Sequence, residues 1–222
     1  MAEILDTFLN VDIIKNVSPL LLQGLWMTLS LAAVAIPCAF LTGLAIASWL
    51  DGAGGLTRRM LIEFIDLFRS FPPLVLLIFL FYALPLAGVN LTAFWAAILA
   101  FTLNGSSYFA EIFRAGLQAV PKGQREAARS SGLGAGQTLV YVVIPQAIRK
   151  VLPDLLSNTI ELFKGTSIAA AVSMQELLRM AQIAQDLTFN PSPLIAAAII
   201  YIAIAWPVVR TISILQRRRI PA

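Results

Sequence analysis

Histidine is absent from this chain of 222 residues, and its single cysteine, Cys38, lies inside an apolar run. An intrachain disulfide and a Cys/His metal centre are both excluded. Charge is scarce as well: 13% of residues are Asp, Glu, Lys or Arg, against 59% hydrophobic. A soluble domain of this length has too little interior to hide so much apolar surface, so the composition is that of an integral membrane protein. No G-x-x-x-x-G-K-[ST] run occurs; the glycine-rich Gly132-Leu-Gly-Ala-Gly136 lacks the Lys and Ser/Thr that grip a phosphate, so ATP hydrolysis by this chain is excluded. The N-terminal MAEILDTF has neither the basic start nor the early apolar core of a cleaved signal peptide, and the first apolar run is expected to be retained. Internal repeats, low-complexity tracts and a second domain are not apparent.

What is present is a succession of apolar runs. They predict an all-α integral membrane protein of one domain over residues 1–222, with spans near 19–50, 71–88, 91–119, 153–172 and 194–215. Residues 1–18 mix Glu3, Asp6, Asp12 and Lys15 with aliphatics at helical spacing and predict a short amphipathic helix on the membrane surface. Pro37 predicts a kink in the first span, and Pro145 with Pro153 a bend or break in the fourth, with residues 138–152 as an arm leading into it. Gly24, Thr28, Ala32, Ala35, Gly43 and Ala47 form a stripe of small residues that would admit a second helix at close range, although such residues are also common in membrane helices generally.

The basic residues, which leave a net charge of +4, are clustered. Arg58, Arg59, Arg114, Lys122, Arg125, Arg129 and Arg217 to Arg219 fall on one side of a five-span topology, and only Lys15 and Arg179 on the other. The positive-inside rule then places the N-terminus outside and the C-terminus in the cytoplasm, and reads the clustering as topology rather than nucleic-acid binding.

The longest region without a spanning run is 120–145, VPKGQREAARSSGLGAGQTLVYVVIP, whose first part, 120–137, forms the loop between spans three and four. Pro121 and Gly123 end what precedes them, Gln124 to Ser131 predict a short helix of good formers, and Gly132, Gly134 and Gly136 stop it. Arg125, Glu126 and Arg129 charge that helix while Ala127 and Ala128 leave a small bare surface. A compact helix of this kind is suited to docking. Glu126-Ala127-Ala128, with Gly132 three residues on and Val142, Ile144 and Pro145 beyond, resembles the EAA loop of the membrane subunits of ABC importers; Val142 and Ile144 depart from that pattern by aliphatic exchange only.

Further words resemble the polar amino acid permeases of that family. Gly24-Leu25 with Thr28-Leu29 is similar to its G-L-x-x-T-L entry into the first span. FRSFPPL (68–74) is similar to F-R-G-T-P-x-L, with Ser70 and Phe71 as departures. Ser107 to Arg114 is similar to A-Y-x-A-E-x-x-R-G, IPQAIRKVLPDLLSN (144–158) to LPQAxRxxLPxxxN, and Lys164-Gly165-Thr166-Ser167-Ile168 to K-D-T-S-L, with Gly165 in place of Asp. The resemblance covers roughly residues 20 to 215 and implies a type I ABC importer permease. It would move a polar amino acid or a derivative across the bacterial inner membrane, paired with a second permease copy or paralogue, a cytoplasmic ATP-binding subunit dimer and an extracytoplasmic solute-binding protein. No cofactor is implied in this chain; ATP and Mg would be bound by the partner ATPase.

The resemblance also assigns residues. Arg125, Glu126, Ala127, Ala128, Arg129 and Gly132 would couple to the ATPase. Asn158, Glu161, Lys164, Thr166 and Ser167 are candidates for the substrate pathway. An intramembrane Lys is costly enough to be a functional candidate, so Lys164 would attract a substrate carboxylate and Glu161 an amino group, unless the two merely pair with each other. Arg69, Pro72, Asn104, Glu111, Arg114 and Glu176 are structural or gating candidates. Arg69 is equally an interfacial anchor, the Asn104 to Ser107 polar patch is equally a packing device, and Glu111 is spaced to pair with Arg114. An ATP-independent carrier or channel is the alternative, though the inverted repeats usual in such carriers are not visible. A purely structural membrane scaffold is a third reading.

Overall fold

The computed structural model describes residues 8–217, with side chains to residue 214. Among the described residues there is no strand. The helices are α1 (Val11–Gly52), α2 (Gly55–Ser70), α3 (Pro73–Tyr82), α4 (Ala93–Gln118), α5 (Lys122–Ser130), the single turn α6 (Ala135–Thr138), α7 (Ile144–Gly165), α8 (Leu177–Thr188) and α9 (Ser192–Arg217). Short 3-10 segments occupy Leu84–Ala87 and Thr166–Val172, and a π turn occupies Leu139–Val143.

Several expected boundaries move. Residues 11–18 form the first turns of α1 instead of a separate surface helix, and residues 1–7 lie outside the described residues, as do Arg218 and Arg219. At 42 residues, α1 is about twice the ~20 residues that a span requires, and it stays helical through Pro19 and Pro37. The run at 71–88 yields only the ten residues of α3 and a 3-10 turn ending at Gly88, whose φ of 83° reverses the chain. The break comes before it, at Phe71-Pro72, between α2 and α3. The run at 153–172 is also redistributed. α7 starts at Ile144 and ends at Gly165, and the rest is 3-10. Pro145 does not break the chain because the π turn lets the Ile144 N–H bond to the Leu139 carbonyl, placing Pro145 at the second helical position, where no intrahelical donor is needed.

By length and apolar composition, α1 and Ser192–Ile214 of α9 are long enough to cross a membrane, and the bent pair α2 and α3 meets the same test as a unit. Neither α4 nor α7 meets it: α4 carries Asn104, Glu111 and Arg114, and α7 carries Arg149, Lys150, Asp154, Glu161 and Lys164.

The chain packs as two compact units. Among the described residues, the first comprises 8–36, 72–101 and 160–217. In it α8 packs on α9 around Val17, Leu21, Leu177, Ala181, Ala184, Ala196 and Ala197. Gly24 has no room for a side chain: a Cβ there would stand 2.8 Å from the Leu177 Cα and 2.9 Å from the Met180 Cβ. The second unit comprises residues 37–71 and 102–159. Its core joins Leu50, Ile65 and Ala110, and the Phe40 ring lies edge-on to Phe109 and Phe113 at 5.5 and 5.0 Å. Thr28, Ala32, Ala35 and Ala47 are buried as well, so the stripe of small residues is a packing face along its length.

Candidate functional site: a surface helix and three polar clusters

In the second unit, α5 begins after Pro121, whose missing N–H costs nothing at a helix start. Its end explains the spacing from the alanines to the glycine. The Leu133 N–H bonds to the Ala128 carbonyl at 3.2 Å and the Gly132 N–H to the Arg129 carbonyl at 3.0 Å, with Gly132 left-handed at φ 88°. This is a Schellman stop, whose turning residue stands four positions after the last buried helical residue, Ala128. Ala128 faces inward, while Glu126, Ala127 and Arg129 are exposed. The Arg129 guanidinium donates to the Leu133 carbonyl at 3.1 Å. Arg125 turns the other way, with its guanidinium donating to both carboxylate oxygens of Asp51, at 2.6 and 3.1 Å, and to the Leu117 carbonyl at 3.2 Å. Lys150 donates to the Ala119 carbonyl, pinning the turn before α5 to α7.

A second cluster in this unit closes the end of α2. Pro72 and Pro73 have no N–H to offer the carbonyls of Phe68 and Arg69, four residues back. Side chains of α4 supply the donors. Asn104 Nδ2 donates to the Phe68 carbonyl at 2.8 Å and the Phe71 carbonyl at 3.2 Å, and the Tyr108 hydroxyl donates to the Arg69 carbonyl at 3.2 Å. Glu111 pairs with Arg114 at 2.6 Å, as the spacing predicts, and lies 4.0 Å from Arg69, whose guanidinium also stands over the Tyr108 ring at 5.4 Å. Arg69, Asn104, Glu111 and Arg114 are thus one group around the α2 terminus, while Pro72 serves as the N-cap of α3. Asn158, on α7, has its Nδ2 buried without a hydrogen-bond partner among the described residues.

The third cluster belongs to the first unit. Glu176 is fully buried and caps α8: its carboxylate accepts from the N–H groups of Leu178 (2.9 Å) and Arg179 (2.7 Å) and from the Tyr201 hydroxyl (2.9 Å). Thr28 Oγ1 accepts from the Leu177 N–H at 3.0 Å, and the Glu176 N–H bonds to the Met174 carbonyl at 2.8 Å. All four otherwise unpaired N–H groups at this helix start are met, and the negative carboxylate sits at its positive end. The helix therefore starts at Leu177, and Glu176 touches the Arg179 backbone and not its guanidinium. Glu161 and Lys164 form an exposed pair at 2.6 Å. Thr166 is buried with its hydroxyl donating to the Phe163 carbonyl, and Ser167 donates to the Lys164 carbonyl while lining an open cavity of about 340 Å³ with Leu74 and Gln182.

Asp51 and Tyr201 escaped the sequence reading, and Thr28 and Tyr108 entered it only within a small-residue stripe and family words, without the hydrogen bonds they make. Asp51 carried one signal: a carboxylate in the last turn of an apolar helix opposes the helix dipole and so calls for a cation.

Helices that are apolar and long enough to cross a membrane, with no strand among the described residues, are the architecture of an integral membrane protein. Residues 39–221 match the family described as binding-protein-dependent transport system inner membrane component, and the chain belongs to that family. It is 35% identical over 200 residues to the probable glutamine ABC transporter permease protein GlnP of Bacillus subtilis, covering 88% of this chain and 90% of that protein. To the arginine transport system permease protein ArtQ of the same organism it is 32% identical over 189 residues, covering 82% and 84%. Among solved structures, that of an amino acid ABC transporter with histidines aligns at 36% identity with a TM-score of 0.81, covering 92% of this chain and 96% of that one. The chain is therefore an ABC permease component of the inner membrane, without an ATPase site of its own. Importers of this family work with separate ATP-binding subunits and substrate-binding proteins.

Proposed function

We propose that this chain is the permease subunit of an importer that brings a polar amino acid, or a derivative of one, across the bacterial inner membrane by alternating access, driven by ATP and Mg bound to a partner ATPase dimer. The observation that carries the reading is the 36% identity to an amino acid ABC transporter over nearly the whole of both chains. Relatives named for glutamine and for arginine favour the polar class without choosing one member.

In this reading the chain crosses the membrane five times, N-terminus outside and C-terminus in the cytoplasm. Both α4 and α7 cross, tolerating their polar groups because helices of this chain and of a second permease copy or paralogue cover them. The basic residues around α5 support a cytoplasmic position for it. As the coupling helix, α5 offers Glu126, Ala127 and Arg129 to the ATPase, while Ala128 and Gly132 hold its shape. A binding protein outside delivers the substrate. Lys164 and Glu161 then meet its carboxylate and amino group, each at present neutralised by the other, and Ser167 and the unpartnered Asn158 amide add hydrogen bonds along α7. Thr166, turned into its own helix, and the α2-terminus group of Arg69, Asn104, Glu111 and Arg114 keep the framework in shape, as does Glu176.

Reconstitution of the chain with its ATPase and binding protein in proteoliposomes tests this reading. Uptake of labelled glutamine or arginine is expected only with ATP inside and binding protein outside. Equal uptake without ATP would favour an ATP-independent carrier and overturn the proposal.

A further inference from the structure

The contact between Asp51 and Arg125 joins residues 74 positions apart and has no role in the motif that marks the loop. It is a two-point fork, the strong geometry for a guanidinium on a carboxylate. The same guanidinium reaches the Leu117 carbonyl near the end of α4, so one side chain ties α5 to the ends of both α1 and α4. The side chains of the pair are partly covered, 32% exposed for Arg125 and 20% for Asp51, while Asp51 taken as a whole residue is exposed, as are Glu126 and Ala127. A guanidinium engaged in this way is turned from any protein that approaches the outer face of α5.

The end of α1 is also fixed. Leu50, beside Asp51, is 1% exposed and packs with Ile65 and Ala110, so a pull on the carboxylate meets a packed core and not a fraying terminus. Cavities of about 210 and 360 Å³ adjoin the pair, and Asp51 is the one carboxylate among the described residues lining either. The charged groups that share those linings are Arg58, Arg114 and Arg129. Arg125 shares its cavity lining with Arg129, a like charge, and Asp51 is the carboxylate there that offsets both, which favours keeping the pair closed while α5 moves.

We infer that Arg125 is a positioning residue that latches the coupling helix to the first membrane helix, so that displacement of α5 passes into α1 through Asp51. Arg125 thereby acts inside the permease and is not a contact with the ATPase. The inference rests on the reading of α5 as the coupling helix.

The test uses the assembled importer in proteoliposomes, with uptake and ATP hydrolysis measured on the same sample. Asp51→Asn and Arg125→Gln are expected to keep the ATPase bound while uptake per ATP falls about tenfold, the scale of one charge-assisted hydrogen bond. The exchanged pair Asp51→Lys with Arg125→Glu is expected to recover uptake per ATP several-fold above the single variants but short of wild type, because the new lysine meets Arg58, Arg114 and Arg129. A wild-type ratio in the single variants overturns the latch. So does loss of the ATPase from Arg125→Gln that the exchange fails to restore, which would make Arg125 a direct ATPase contact. Ala127→Glu separates the two readings: it alters only the exposed face, and if it keeps the ATPase with normal affinity, the docking role of α5 fails whatever the latch variants show.

Discussion

Substituting valine for Gly132 is expected to lower ATP-driven uptake by about tenfold, the equivalent of about 1.4 kcal/mol, while the permease still inserts in the membrane. The cause is conformational. Gly132 sits at φ 88°, and a Cβ built there meets no atom within 4 Å, so the larger residue is opposed by backbone strain and not by a collision. Holding an L-residue in the left-handed region costs roughly 1–2 kcal/mol, and most for a β-branched one. The relief is to unwind the stop, which gives up the Leu133 to Ala128 and Gly132 to Arg129 bonds and lets the last turn of α5 fray. Asparagine enters that region more readily, so Gly132→Asn should retain most uptake and Gly132→Ala should fall between the two. Equal activity across the three variants would show that the shape of this turn does not matter to transport.

A larger effect is expected at Gly43, where the obstacle is steric. A Cβ there would lie 2.6 Å from the Phe109 Cβ, 2.8 Å from the Ser106 carbonyl oxygen and 3.0 Å from the Ala110 nitrogen. Two of these atoms belong to the α4 backbone, and no rotamer change moves them. Gly→Ala inside a helix gains up to about 1 kcal/mol in propensity, whereas overpacking costs typically about 1–3 kcal/mol per event. Gly43→Ala should therefore show a modest loss of thermal stability. Gly43→Leu, which forces apart α1 and α4 and disturbs the Phe40, Phe109 and Phe113 cluster, should yield little monodisperse permease on size exclusion. Gly52→Ala, in the same helix with no atom within 4 Å, is the control expected to behave as wild type. A normal yield of Gly43→Leu would mean that α1 and α4 do not pack as described.

The features legible in the sequence are those set by spacing along one helix. The Glu111–Arg114 and Glu161–Lys164 pairs, the stop at Gly132 and the small-residue face from Gly24 to Ala47 all follow from which residues share a helical face. What escaped notice depends on partners distant in the chain. Asn104 reads as a polar group needing a partner, but that the partner is a carbonyl stranded by Pro72 and Pro73 emerges only when α4 lies beside α2. Glu176 reads only as a structural or gating candidate, and becomes a buried cap once Thr28 and Tyr201 converge on it. The boundaries near Pro145 failed for a different reason. A proline forbids an α-helical hydrogen bond at one position, and a single π turn can shift the register so that none is needed there. Polar residues in α4 and α7 blur the count of spans for the same reason that they matter: in a permease, polar groups belong where helices meet one another or the transported molecule.

The claim at the centre of this account is that the outer face of α5 is where an ATPase subunit docks, and proximity tests it most directly. Because Cys38 is the only cysteine, a Cys38→Ser background carrying Ala127→Cys places one thiol on that face. With a short thiol-reactive photocrosslinker on the assembled importer, the account predicts an adduct between permease and ATPase from position 127 and none from Gly88→Cys, in the turn expected outside the membrane. An ATPase adduct from position 88, or none from position 127 in a complex that hydrolyses ATP and transports, would contradict it.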